Sequence, residues 1–181
     1  MPAKSYPHFA EPLTDVSRLS LNQMTTDQWD LEEAVQGCLE AGIPWIGLWR
    51  HKVAELGLAK SARIVRESGI KVSSLCRGGM FPAATEKELQ ARIDDNKRAI
   101  DEAAELGTDT LVLVCGPAAD KDIAKARTQV LKGIEAVAPY AAERGMKLGI
   151  EPLHPMFAAD RSVIVTLGQA NRMVAELGAP N

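Results

Sequence analysis

Lys147-Leu148-Gly149-Ile150-Glu151-Pro152-Leu153-His154-Pro155 is the stretch whose reading decides the fold. A short apolar run rises from the end of a helical segment and finishes on a carboxylate. Two prolines then restrict the backbone on either side of Leu153 and His154. Four earlier runs have the same apolar character: Arg18 to Leu21, Trp45 to Trp49, Val72 to Cys76 and Thr110 to Cys115. Helical segments follow each run, and each closes on one phrase, Glu-x-Gly. The copies are Glu40-Ala41-Gly42, Glu67-Ser68-Gly69, Glu105-Leu106-Gly107, Glu143-Arg144-Gly145 and Glu176-Leu177-Gly178. Glycine is favoured just past a helix end because it takes the left-handed conformation without a Cβ clash. The closing glycines stand 27 to 38 residues apart, the length of one strand with its helix.

The helical segments carry their own signals. Leu31, Ala34, Val35, Cys38 and Leu39 recur at the spacing of one buried stripe. Leu89, Ile93, Ile100 and Ala103 form a second stripe, and Val130, Ile134, Val137 and Ala141 a third. The segment from Lys52 to Ser68 is less regular, with Gly57 near its start. Asp30 with Glu33, Thr85 with Glu88 and Thr166 with Gln169 have the spacing of N-terminal caps. Strands alternating with helices require right-handed crossovers and a parallel sheet, so the class is α/β.

Two architectures fit five such units. One is a doubly wound five-stranded sheet. The other is a (β/α)8 barrel, which typically needs about 250 residues and of which this chain supplies five units of eight. After every earlier Glu-x-Gly a strand begins, whereas after the fifth come only Ala179-Pro180-Asn181. The expectation is therefore an incomplete barrel over residues 18–181, preceded by an arm, residues 1–17, that contains three prolines and His8.

Composition narrows the function. The net charge of −3, with no basic run longer than two residues, argues against nucleic-acid binding through a broad positive face. No apolar stretch is long enough to span a bilayer. The three cysteines, Cys38, Cys76 and Cys115, are odd in number and form no CxxC pair. Reduced, buried thiols in a cytoplasmic protein are the expectation.

In parallel α/β folds ligands and chemistry gather at the carboxyl ends of the strands. The residues at those ends are Asn22 and Gln23; Trp49, Arg50 and His51; Cys76, Arg77, Gly78 and Gly79; Cys115, Gly116 and Pro117; and Glu151 with His154. There is no GxGxxG after a strand, no P-loop and no GxSxG elbow. What remains suits a polyol or sugar. The amides can hydrogen-bond hydroxyl groups, and Trp49 can stack on a sugar face or fill the rim. His51 can touch ligand or cap the helix it precedes. Arg77 can hold a phosphate or carboxylate, or pair with a loop acid. Glu151 is the candidate for proton transfer, although a cap or an ion pair would equally use a carboxylate there.

With these residues in hand the chain resembles the xylose-isomerase-like TIM barrel superfamily of sugar and sugar-phosphate isomerases and epimerases. The likeness rests most on Gly149-Ile150-Glu151-Pro152-Leu153-His154-Pro155 with Ala158-Ala159-Asp160-Arg161-Ser162. The resemblance implies a divalent metal ion (Mn, Mg, Co or Zn) at the carboxyl end of the barrel. Glu151 would be its first ligand and one acid/base group, and His154 would face substrate. Trp49, His51 and Arg77 would complete the contacts to a small-molecule sugar or polyol. The other metal ligands belong to later strands in such proteins, so little activity is expected of this chain alone. The alternatives are a non-catalytic fragment that forms a homo-oligomer through open strand edges, an inosose-type dehydratase, and a relative of the apurinic endonucleases.

Overall fold

The computed structural model describes residues 14–181. His8 and most of the expected arm lie outside the described residues. Five parallel strands form one sheet in sequence order: β1 (Ser20–Asn22), β2 (Trp45–Trp49), β3 (Lys71–Gly79), β4 (Thr110–Val114) and β5 (Lys147–Glu151). The helices between them are α1 (Leu31–Glu40), α2 (Arg50–Leu56), α3 (Leu58–Ser68), α4 (Glu86–Glu105), α5 (Ile123–Ala142) and, after β5, α6 (Leu167–Leu177). Sequence-order neighbours, all parallel, are barrel topology rather than the doubly wound alternative, in which the strand order reverses. The fold is five units of a (β/α)8 barrel.

The Glu-x-Gly phrase does what its chemistry requires. Gly42, Gly69, Gly107, Gly145 and Gly178 all have φ between 59° and 77°. Each helix therefore stops where a side chain would make left-handed backbone costly. At the other ends Asp30 and Thr85 form complete capping boxes with Glu33 and Glu88. Thr166 accepts from the Gln169 N–H, but the Gln169 amide oxygen accepts from Val165 instead of closing a box.

Alternation along each strand separates two faces. Ile46, Leu48, Leu75, Leu111 and Leu113 point outward to the helices and are fully buried. They meet the helix stripes, of which Leu31, Ala34, Val35 and Cys38, Leu89, Ile100 and Ala103, and Val130, Ile134, Val137 and Ala141 are buried as expected. Burying an aliphatic side chain of this size contributes about 1.5–3 kcal/mol, so this outer layer holds the sheet together. Leu39, in the last turn of α1, departs from its stripe and is 43% exposed.

Three boundaries differ from the sequence expectation. The Lys52 to Ser68 helix is two helices, broken at Gly57 with φ 88° and ψ 139°, values that no helix accommodates. The first strand begins two residues later than expected, at Ser20. The third is longer than expected and carries Arg77, Gly78 and Gly79 within it rather than after it. Its extra length is taken up by two irregularities. Ile46 and Gly47 face Val72 and Ser74, leaving Ser73 over. Cys76 and Gly78 face Val112 and Leu113, leaving Arg77 over. These are β-bulges, which bend a strand and re-aim side chains and are common beside active sites.

Candidate functional site

The inner face of the sheet is short on bulk. Two adjoining cavities open there, of about 170 and 740 Å³, and Trp49, Cys76 and Glu151 line both. The smaller lies deeper, among Ser20, Asn22, Gly47, Ser73 and Ser74. The bulge at Ser73 turns two consecutive serines to this wall, and Ser73 shares a 2.8 Å hydrogen bond with Ser20 Oγ. The larger cavity takes in the strand ends: Met24, Arg50, His51, Arg77, Leu153, Asp160 and Arg161. The bulge at Arg77 has the same consequence one layer up. It brings neighbouring residues, Cys76 and Arg77, to one cavity.

Each wall is held by its neighbours. Trp49 donates its indole N–H to Asn22 Oδ1 at 2.9 Å, and the same oxygen accepts from the Met24 N–H. The Trp49 backbone N–H goes to Gln23 Oε1 at 2.9 Å. Trp49 is therefore a fixed, half-buried rim residue with one side on the cavity. His51 meets it edge-on, with ring centroids 5.9 Å apart, and sits exposed in the first turn of α2. It makes no side-chain cap there, since α2 has none. Arg50 is gripped from outside the cavity. Its Nε and Nη2 reach Glu102 at 2.6 and 3.0 Å, and its Nη1 and Nη2 reach Asp95 at 2.9 and 3.2 Å. The hydrogen bond to Glu102, then those to Asp95, hold the guanidinium charged, and the bond from Arg50 keeps Asp95 below the usual carboxylate range.

The loops above β3, β4 and β5 are fastened to one another. Met80 and Phe81 donate backbone N–H groups to Val114 O and Cys115 O. Gly116 donates to Arg161 O, Val163 to Gly116 O, and Leu153 to Ile164 O. Phe81 is fully buried against Gly133, where an added Cβ would run into its ring. Asn96 of α4, buried in an otherwise apolar stripe, donates to Gly79 O at 2.8 Å and accepts from the Gly79 N–H at 2.6 Å. This clamp needs Gly78 as well, because a Cβ there would stand 2.7 Å from Asn96 Oδ1. Sequence reasoning passed over Asn96; the signal was a polar residue on the α4 stripe opposite a Gly-Gly pair.

Among the sequence candidates, Glu151, Trp49, His51 and Arg77 line one cavity. His154 does not line it. His154 is exposed and accepts the Met156 N–H on Nδ1 at 3.2 Å, capping the short 3₁₀ turn Pro155–Phe157. Gln23 is fully buried and serves Trp49 rather than a ligand, with its Nε2 unpartnered. Arg161 and Asp160 lie at the cavity although the strand-end reading did not single them out. Cys76 and Cys115 are buried, free thiols, as is Cys38. Burial, and next the Glu151 carboxylate, push both Cys76 and Cys115 up to about 12, so neither is a thiolate near neutrality.

A family model described as a xylose isomerase-like TIM barrel matches residues 35–181. The chain belongs to that family. The solved structure of protein SMc04130 from Sinorhizobium meliloti 1021 is 50% identical with a TM-score of 0.87, over 91% of this chain and 61% of that one. D-psicose 3-epimerase, crystallised in the presence of D-fructose, is 17% identical with a TM-score of 0.74, over 90% of this chain and 60% of that one. An AP endonuclease, family 2, from Brucella melitensis is 19% identical with a TM-score of 0.74, over 90% and 65%. The last two likenesses speak for the fold alone. The chain spans less than two thirds of the length of each of these structures. None of the curated proteins matches it.

The xylose isomerase-like family brings with it the expectation of a divalent metal. Among the described residues no three His, Cys, Asp or Glu side chains are grouped to hold one. At the cavity Glu151 is the strand-end carboxylate, Asp160 is paired with Arg161 at 3.7 Å, and the neighbouring thiol of Cys76 is protonated. Those are too few donors for a divalent cation. The described residues do not by themselves fit a metal centre. No helix among them is long and apolar enough to cross a membrane.

Proposed function

We propose that the chain is the sugar-binding portion of an isomerase or epimerase that moves a proton on the carbon next to a carbonyl. One observation supports this reading above others. Glu151, last residue of β5, lines a cavity of about 740 Å³ together with an indole and polar groups, in a member of a family with sugar epimerases among its structural neighbours. An indole edge and polar walls are the features a polyhydroxylated ligand needs. A carboxylate within reach of the carbon takes the proton and returns it. Aldose–ketose isomerisation can use one such group, whereas epimerisation needs a second on the opposite face of the carbon. In this reading Trp49 and His51 shape one wall, and the Asn22 amide N–H₂ is left for hydroxyls because its oxygen is occupied by Trp49 and Met24. Glu151 is also the residue that would join a divalent cation, in company with donors outside the described set.

The test is solvent exchange. D-Fructose or another ketohexose is incubated with the protein in deuterated water, and deuterium on the carbons flanking the carbonyl is read by NMR. The chain alone should catalyse little exchange, and what it does catalyse should fall to the uncatalysed rate in Glu151→Gln, which keeps the shape and removes the base. Exchange that is unaffected by Glu151→Gln would sink the assignment.

A further inference from the structure

Two exposed arginines line the larger cavity, one at the bulge of β3 and one after β5, and neither is held by a carboxylate closer than 3.7 Å. Arg77 is exposed at the bulge of β3. Among the described residues no carboxylate lies within ion-pair distance of it, and the one hydrogen bond its side chain makes there is a 3.7 Å approach of Nη1 to the Met80 thioether. Arg161 stands across the mouth. Its backbone is fixed, since its carbonyl takes the Gly116 N–H at 2.9 Å and its own N–H goes to Phe157 O. Its guanidinium lies over the Phe157 ring at 4.5 Å and meets Asp160 only loosely, at 3.7 Å. Arg50 lines the same cavity and makes the contrast, with four short bonds to Asp95 and Glu102.

Guanidinium groups at this cavity are thus of two kinds: one locked into the scaffold by short bonds, and two exposed ones that no carboxylate holds closely. Guanidinium is the group that matches a carboxylate or phosphate with paired N–H bonds. A neutral sugar offers it only single hydroxyl acceptors. The bulge strengthens the point: without the extra residue in β3, strict alternation would not bring Arg77 and Cys76 to the same cavity. Arg77 and Glu151 line the same cavity. An anion at Arg77 would therefore lie within one small molecule's reach of Glu151.

We infer that the substrate is an acidic polyol, whose oxyanion group is held between Arg77 and Arg161 while its hydroxylated carbons lie toward Glu151 and Trp49. This rests on the reading of the cavity as a polyol site and adds the charge. The oxyanion is a carboxylate, as in a sugar acid, or a phosphate, as in a sugar phosphate.

The experiment is calorimetric binding to the full chain at low and at physiological salt. The probes are D-gluconate, D-glucitol 6-phosphate and neutral D-glucitol, with acetate and inorganic phosphate as fragments. One or both acidic polyols should bind at least about tenfold tighter than D-glucitol, as expected for charge-assisted hydrogen bonds. Which of the two binds tighter identifies the oxyanion. Arg77→Ala and Arg161→Ala should each remove most of that advantage by weakening the acidic polyols far more than D-glucitol, and Arg77→Lys should restore it only in part. Arg172→Ala, on the far helix α6, should change nothing. Equal binding of charged and neutral probes, or equal weakening of both by Arg77→Ala, overturns the inference and leaves the polyol site standing. Binding of acetate and inorganic phosphate as tight as that of the acidic polyols, with the polyol chain adding nothing, overturns both. Absence of binding by every probe also overturns both.

Discussion

The two faces of one sheet make opposite use of neighbouring residues. On β4 Leu111 and Leu113 are fully buried against the helices, while Val112 between them lines the inner cavity and keeps some exposure. On β2 Ile46 and Leu48 do the same, with Gly47 and Trp49 on the inside. The outer face is filled by long aliphatic side chains and the inner face by Ser20, Gly47, Ser73, Ser74 and Gly149, which leave room. A strand thus serves stability and ligand from alternate positions. What distinguishes the faces is the bulk they carry and the partners they meet.

The largest expected effect tests that division directly. Leu113→Ala should lower unfolding free energy by about 2–5 kcal/mol in urea titrations, through lost burial and the cavity left behind. Val112→Ala, one residue away, should cost about 1 kcal/mol or less, since its side chain gives up only partial burial. Equal losses would mean that the inner face is as closely packed as the outer.

Alkaline titration sharpens the same contrast where the faces meet. Cys76 and Cys115 are protonated in the fold, with their thiols pushed from 9.0 up to about 12 by burial and then by Glu151. A raised folded value stabilises the protein fully below the unfolded pKa and loses that contribution as pH climbs through the folded one. Stability should therefore decline between about pH 9 and pH 12, and the decline should flatten in the Cys76→Ala, Cys115→Ala double variant. Both thiols should also resist iodoacetamide at pH 8 in the native state and react after unfolding. A rapid native reaction would show that the Cys76 side of the cavity is wetter than its burial implies.

The smallest effect belongs to the inner wall. Gly149→Ala meets nothing closer than Leu111 O at 3.9 Å. It should shift stability by no more than about 0.5 kcal/mol in either direction, as substitutions away from packed features do. A larger loss by thermal melting would place an unrecognised constraint on β5.

Much of this was legible in the residues. The five Glu-x-Gly copies marked the ends of α1, α3, α4, α5 and α6, five of the six α-helices among the described residues, because only glycine takes the required φ cheaply, and the helix stripes marked the outer core because burial has a period. The inner face was less legible. A run such as Val72 to Cys76 reads as uniform alternation, and nothing local announces that Ser73 and Arg77 are supernumerary until the neighbouring strands are laid beside them. Gln23 read as a ligand amide, yet tertiary packing placed it in the interior to hold Trp49. His154 read as facing substrate, whereas its lone pair is occupied by the backbone of its own turn. Glu151 was legible because a strand end is a topological position, and topology follows from the repeat.

The bulge at Arg77 has a consequence for how such a chain can change. A residue that belongs to neither ladder can be exchanged without altering which of its neighbours face the helices, so chemistry at the mouth is insulated from the packing beneath it. Removing the residue would restore plain alternation: Cys76, Gly78 and Gly79 would keep Val112, Leu113 and Val114 as partners, and Asn96 its grip on Gly79. What would go is the second neighbouring side chain that the mouth receives from this strand, so the position carries chemistry on which the ladder beneath it does not depend.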